Sequence, residues 1–246
     1  MPATPAWPPA STPRLFVDQP LGEGMTLPLD GAPANYLANV MRLKAGDPVR
    51  LFDDRTGEWL ARVVETGKRT ITLHLTSRLR EREAVPDLWL LFAPIKKGRI
   101  DWLVEKATEL GAARLQPVIT QRTIVDRPNL DRLRAHAIEA AEQCDRTALP
   151  ELAEPAKLSA LLKGWDANRA LIFADENGGN PLIEIARSGP AAILIGPEGG
   201  FTPDERELIR ATPGAVAMSL GPRVLRAETA AAAAIAAWMS IAGDWR

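Results

Sequence analysis

This sequence is poor in the residues that build redox and metal chemistry. Cys144 is the single cysteine among 246 residues, which excludes an intramolecular disulfide framework and fits a reducing, cytoplasmic setting. It reads as a small buried hydrophobe. His74 and His136 are the two histidines, and neither has a partner at metal-ligand spacing, so no metal site is expected. Charge of one sign is also lacking. The formal net charge is −1, so nucleic acid would have to be met by a local basic patch. Residues 1–80 carry about two more cations than anions, and the remainder about three more anions. The N-terminus has no basic run followed by an apolar core and is no signal peptide. The alanine-rich segment from about Ala227 to Ala242 holds Glu228 and is too short to span a bilayer comfortably, so no membrane is expected. A P-loop and a dinucleotide fingerprint are absent, which disfavours ATP and NAD. No internal repeat of fixed period occurs.

What is present is ordinary globular material, 46% hydrophobic and 25% charged, enough for one large domain or two smaller ones. Residues 1–13, with Pro2, Pro5, Pro8, Pro9 and Pro13, read as a flexible tail. Residues 14–80 read as short strands and turns: Leu15–Val17, Pro48–Phe52, Glu58–Val64 and Thr70–Leu75, interrupted by one helix over about Ala34–Arg42. The charged stretch Arg78–Glu83, followed by Pro86, is the expected linker. Over residues 87–246 strands and helices alternate. Strands are expected at Leu88–Ala93, Arg114–Ile119, Ala170–Ala174, Ala191–Ile195 and Ala215–Ser219, and helices at Ile100–Leu110, Leu130–Gln143 and from about Pro203 and Ala227. Such alternation implies a mostly parallel sheet with helices on both faces.

Two loops concentrate the signal: Ile195-Gly196-Pro197-Glu198-Gly199-Gly200-Phe201 and Ser219-Leu220-Gly221-Pro222-Arg223-Val224-Leu225-Arg226-Ala227-Glu228-Thr229. Each follows an apolar run and leads into a helix. Glycines at the carboxyl ends of parallel strands let a ligand approach the backbone, so the pair points to a small-molecule site at the sheet edge. A plain strand-to-helix turn is the alternative.

Together these loops resemble the RsmE family, which methylates N3 of a uridine in 16S ribosomal RNA. Further segments carry the same resemblance: Val40-Met41-Arg42-Leu43-Lys44-Ala45-Gly46-Asp47, Lys106-Ala107-Thr108-Glu109-Leu110-Gly111, and Glu139–Gln143 with Arg146 and Pro150. The family belongs to the SPOUT class of S-adenosylmethionine-dependent methyltransferases. The resemblance therefore implies an α/β fold: a SPOUT-type parallel sheet with a deep trefoil knot over 87–246, preceded by a PUA-like RNA-binding β-barrel over 14–80. It also implies a homodimer, with the last helix at or near the contact, acting on 16S rRNA or the small ribosomal subunit.

The implied cofactor, S-adenosyl-L-methionine, carries no phosphates and needs backbone hydrogen bonds and an apolar slot. Gly196, Gly199 and Gly221 would give backbone access, Leu220, Val224 and Leu225 the slot, and Phe173 and Glu198 complete the expected binding set. Uridine N3 is a poor nucleophile until its proton leaves, and charge then develops on the flanking carbonyl oxygens. Arg226 is the candidate to stabilise that charge. Glu198 or Glu228 would act as base or orient Arg226, although Glu228 equally suits the first turn of a helix. Lys96 and Lys97, with Arg14, Arg42, Lys44, Arg122 and Arg127, are candidates for RNA phosphate contacts; a solvated charge cluster is the alternative for the lysines. Lys106 and Glu109 suit an intrahelical pair, and Glu142, Gln143 and Arg146 a capping and packing network. Where RsmE relatives place histidine before Val40, this chain has Asn35 and Tyr36. Two rival readings are another SPOUT enzyme acting on tRNA or a ribose hydroxyl, and a non-catalytic RNA-binding module.

Overall fold

A computed structural model describes residues 12–245. The chain divides into two compact units, one running to Ala84 and including Glu142–Ala148, the other made of Val85–Ala141 and the chain from Leu149 onward.

The first unit holds β1 (Arg14–Phe16), β2 (Thr26–Asp30), helix α1 (Gly31–Asn35) continuing into a π-helical turn over Tyr36–Val40, β3 (Pro48–Phe52), β4 (Glu58–Thr66) and β5 (Thr70–Arg80). They form a five-stranded sheet in the order β1-β3-β4-β5-β2, antiparallel except for β1 beside β3. Period-2 alternation in β5 sends Ile71, Leu73 and Leu75 inward, where they meet Leu27, Leu37, Val49, Leu51 and Val63. Register shifts along the β4–β5 pair curl the sheet around this core. Strand β2 has no sequence signal because Pro28 interrupts it; at the end of the strand order it has a free edge, where proline is tolerated.

Several sequence expectations shift here. The Pro-rich tail falls mostly on residues outside those described, but Thr12 and Pro13 are buried, and the Pro13 carbonyl accepts from Arg50 N at 2.8 Å. The expected linker Arg78–Glu83 is structured. Strand β5 runs to Arg80, Arg82 Nε reaches Asp54 Oδ1 at 3.0 Å, and the Glu83 carboxylate accepts from Thr147 N at 2.7 Å and Ala148 N at 3.0 Å. Glu142–Ala148 thus pack with the first unit, not with the sheet that follows them. Glu142 accepts from Phe16 N at 2.9 Å, and Asp145 pairs with Arg50 at 2.9 Å. Cys144 lies on this segment and is exposed, contrary to its expected burial.

A buried ion cluster underlies the segment. Glu58, 4% exposed in its side chain, pairs with Arg14 and with Arg80 at 2.9 Å, and Arg14 also donates to the Arg146 carbonyl at 2.7 Å. Burial lowers the Arg14 pKa, opposed by the hydrogen bond and charge of Glu58. Arg146 is likewise lowered by burial, against the charge of Glu83. Burial alone would raise Asp53, but hydrogen bonds from the Thr56 side chain and from the Arg55, Thr56 and Leu21 amides outweigh it and hold the carboxyl below its ordinary value.

The second unit contains β6 (Leu88–Phe92), α2 (Arg99–Glu109), β7 (Arg114–Ile119), α3 (Leu130–Gln143, whose last two residues belong to the first unit), β8 (Glu151–Leu152), β9 (Ala156–Lys157), α4 (Leu158–Lys163), β10 (Ala170–Ala174), β11 (Asn180–Pro181), α5 (Leu182–Ile185), β12 (Ala191–Ile195), α6 (Pro203–Arg210), β13 (Ala215–Ser219) and α7 (Ala227–Ile241). The sheet order is β11-β13-β10-β12-β6-β7-β8 with β9 beside β7, and every pairing is parallel. Strand β12 is buried along its whole length, as a central strand covered on both faces must be. Helices α2, α3, α5 and α7 cover one face, and α4 and α6 the other. The alanines of α7 have a local purpose. Ala230, Ala231 and Ala234 are buried with Ile235, Trp238 and Met239, which lets the helix lie close to α2 and β12. No helix among the described residues is long and apolar enough to cross a membrane.

Candidate active site

Strands β13, β10 and β12 are neighbours, so the loops leaving their carboxyl ends converge. They enclose a cavity of about 510 Å³. Its apolar wall comes from Ile195, Phe201, Met218, Leu220 and Leu225, and its rim from Glu198, Arg223, Val224 and Arg226. Crevices outside the carboxyl ends of parallel strands are where such sheets bind ligands.

The local sequence explains the geometry. A Cβ on Gly196 would lie 3.1 Å from the Phe201 ring, so the loop closes tightly over that ring and a side chain there would push the ring by a few tenths of an ångström. Gly221, at φ +98°, turns the β13 loop back toward α7. Thr202 caps α6, and Glu205 returns a bond to Thr202 N at 3.0 Å while also accepting from Gln121 N at 2.8 Å. These bonds fix the far end of the Gly196–Phe201 loop.

The cavity collects most of the expected cofactor set: Gly196, Glu198, Leu220, Gly221, Val224 and Leu225. Val224 lies on the rim, 91% exposed, and is no part of a closed slot. Phe173 does not line the cavity. It is fully buried on the α4–α6 face of the sheet, and its neighbour Ala174 reaches the wall instead, because successive strand residues alternate faces. Gly199 also stands off the wall, its carbonyl bound by Arg122 at 2.5 Å.

Arg226 is the N-cap residue of α7, exposed on the rim, and among the described residues its side chain has no hydrogen bond or ion pair. The carboxylates expected to orient it are engaged elsewhere: Arg99 Nη1 lies 3.3 Å from Glu198, and Arg99 Nε lies 3.8 Å from Glu228.

Of the expected RNA contacts, Arg14 is buried within the first unit, bonded to Glu58 and stacked 3.9 Å from the Phe52 ring centroid, so it cannot meet phosphate. Arg42 is exposed, with φ +56°. Lys96 and Lys97 are exposed in the loop between β6 and α2, and Arg122 is exposed beside the Gly199 carbonyl. Sequence reasoning missed Asp175, Glu176 and Arg206, all on the cavity wall. Asp175, with a fully buried side chain, pairs with Arg210 at 2.7 Å, and Glu176 pairs with Arg206 at 2.5 Å. The signal for Asp175 and Glu176 was their place directly after the parallel strand β10; Arg206, on α6, had none. Among the described residues, no group of three His, Cys, Asp or Glu side chains is arranged to hold a metal ion.

Comparison with known proteins agrees with this architecture. Residues 81–239 match the family described as RNA methyltransferase domain, and residues 29–76 the RNA methyltransferase PUA domain. The ribosomal RNA small subunit methyltransferase E of Rickettsia conorii is 33% identical, the match covering 91% of this chain and 93% of that protein. The protein of the same description from Mycobacterium tuberculosis is 30% identical, covering 94% and 92%. The crystal structure of a ribosomal RNA small subunit methyltransferase E from Neisseria gonorrhoeae bound to S-adenosyl methionine superposes with a TM-score of 0.88 at 28% identity, over 96% of this chain and 100% of that one. Sequence, fold and cavity together make this chain a member of the RNA methyltransferase family that includes the ribosomal RNA small subunit methyltransferase E proteins.

Proposed function

We propose that this protein transfers the methyl group of S-adenosylmethionine to N3 of a uridine in 16S ribosomal RNA of the small subunit. The observation that carries this reading is the cavity at the carboxyl ends of β10, β12 and β13, with an unpaired arginine on its rim, in a chain of this family. The residues fit the cofactor. About 510 Å³ is within the range that encloses ligands of such size. The wall is apolar, and Gly196, Gly200 and Gly221 expose backbone to it. When bound, S-adenosylmethionine supplies an electrophilic methyl group on a sulfonium centre.

The protein's own groups act on the acceptor base. Removal of the N3 proton leaves negative charge shared between N3 and the adjacent carbonyl oxygens. Arg226, with no ion pair among the described residues and at the N-terminus of α7, stabilises that charge. Glu198, on the same rim, is the proposed proton acceptor, with Glu228 the alternative. Arg42, Lys96, Lys97 and Arg122 contribute phosphate contacts that position the RNA.

The same reading includes a trefoil knot in the second unit and a cytoplasmic homodimer. Support for the dimer comes from the outward face of α7, where Thr229, Ala233 and Ser240 offer another helix a close approach. Light scattering at micromolar concentration should give twice the mass of the chain; a fully active monomer would refute the dimer. For the reaction, mass-spectrometric mapping of 16S rRNA from a deletion strain should show one uridine without its N3 methyl group, restored by the purified protein. A missing methyl on a ribose or on tRNA would overturn the assignment.

A further inference from the structure

Arg99 sits where three functional segments meet. It is the first residue of α2, directly after Lys96-Lys97-Gly98, with the Gly98 amide tied to Asp101 Oδ2 at 3.1 Å. Its Nη1 lies 3.3 Å from Glu198 on the β12–α6 loop, and its Nε lies 3.8 Å from Glu228 on the first turn of α7. Different nitrogens of one planar guanidinium thus face carboxylates from two elements, a geometry that a single ammonium does not reproduce. Glu228 is 12% exposed in its side chain, and its other oxygen, Oε2, is buried without a hydrogen-bond partner, so Arg99 is the cation that compensates it.

Arg226 stands between these acids in the sequence. Glu198 lines the same cavity, and Glu228 follows Arg226 by two residues, yet Arg226 pairs with neither. We propose that Arg99 is a positioning residue for methyl transfer: by holding Glu198 and Glu228 on one guanidinium, it keeps both carboxylates off Arg226 and leaves that cation to face the substrate. Without Arg99 the two acids lose their counterion; of the two exposed rim arginines, Arg223 and Arg226, the latter is two residues from Glu228 and the nearer in sequence to be captured. A captured Arg226 has its charge neutralised before the base arrives, so the loss falls on the chemical step. The inference rests on the proposed methyl transfer and deepens it.

The test uses the full chain with small ribosomal subunits as substrate, comparing wild type, Arg99→Ala, Arg99→Lys and the double variant Arg99→Ala/Glu228→Gln. The single-turnover rate of Arg99→Ala at saturating substrate should fall about tenfold to a hundredfold, the scale of a misplaced catalytic group. Calorimetric affinity for S-adenosylmethionine should stay within about threefold of wild type, because the change acts on the transition state. Adding Glu228→Gln should restore part of the rate by removing one carboxylate that captures Arg226, an effect a merely structural role would not produce. Arg99→Lys, able to meet one carboxylate at a time, should be intermediate, and it carries the test if Arg99→Ala does not fold. The proposal is overturned by an unchanged rate in Arg99→Ala or by a wild-type rate in Arg99→Lys. Cofactor affinity that falls in step with the rate, an effect confined to the substrate concentration for half-maximal rate, or a double variant no faster than Arg99→Ala also overturns it. Wild-type protein that binds no S-adenosylmethionine would instead refute the proposed function.

Discussion

Replacing Arg226 by alanine separates folding from chemistry at this site. The residue is exposed, and it caps α7 without a side-chain capping bond. Among the described residues it has no hydrogen bond or ion pair to lose. Surface changes of this kind alter stability by no more than about 0.5 kcal/mol. A cation at a helix N-terminus also opposes the dipole by about 0.3 kcal/mol or more, so the variant should be marginally more stable. Cofactor affinity should be nearly unchanged, because the apolar wall and the glycine backbone remain. The rate should not survive as well. Loss of one preorganised donor to a developing oxyanion costs about 2.7–4 kcal/mol, or roughly two to three orders of magnitude. The assay is single-turnover methylation of small subunits lacking the modification, with melting temperature and calorimetric affinity measured on the same preparation. A rate within about threefold of wild type would refute the electrostatic role of Arg226. A rate loss accompanied by an equal loss of affinity would assign Arg226 to cofactor binding instead.

Gly196→Val places its Cβ 3.1 Å from the ring of Phe201, which is 3% exposed and has little room to move. Overpacking of this kind costs about 1–3 kcal/mol, shared between a lower melting temperature and weaker S-adenosylmethionine binding. Gly199→Val should do less, since its Cβ meets only the Arg122 side chain, at 3.4 Å. Equal effects at the two positions would refute the assigned role of the Gly196–Phe201 contact. Glu58→Gln leaves Arg14 buried with its main counterion gone, a change worth about 3–5 kcal/mol and here at the low end, because Asp145 remains 3.6 Å away. Calorimetric unfolding should show that loss; an unchanged transition would mean that the cluster contributes no net stability.

Periodicity and turn chemistry in the sequence determined the parallel sheet. The runs Ala170–Ala174, Ala191–Ile195 and Ala215–Ser219 are apolar enough to require cover on both faces, and the structure forms each, and the more polar Arg114–Ile119, as a strand with the expected bounds. The Leu130–Gln143 helix and the start of α7 at Ala227 were legible for the same local reason. So were the glycine-bearing loops of the cavity, because glycine is favoured by the positive φ at Gly221 and by the close approach of Phe201 to Gly196. Partnership between distant charges was not legible. Arg14 and Arg226 look alike in the sequence, but one is buried against Glu58, forty-four residues away, and the other stands unpaired on a cavity rim. Glu142, Gln143 and Arg146 read as a capping and packing network at a helix end, yet Glu142–Ala148 are held by Phe16, Arg50 and Glu83. Which acid meets which arginine depends on how the strands are ordered in space. The order β13-β10-β12 brings three loops together that the chain keeps far apart. Local propensity records which strands form, but long-range packing decides which become neighbours. The tertiary structure therefore decided which cation is left exposed on the cavity rim and which are consumed in holding the fold.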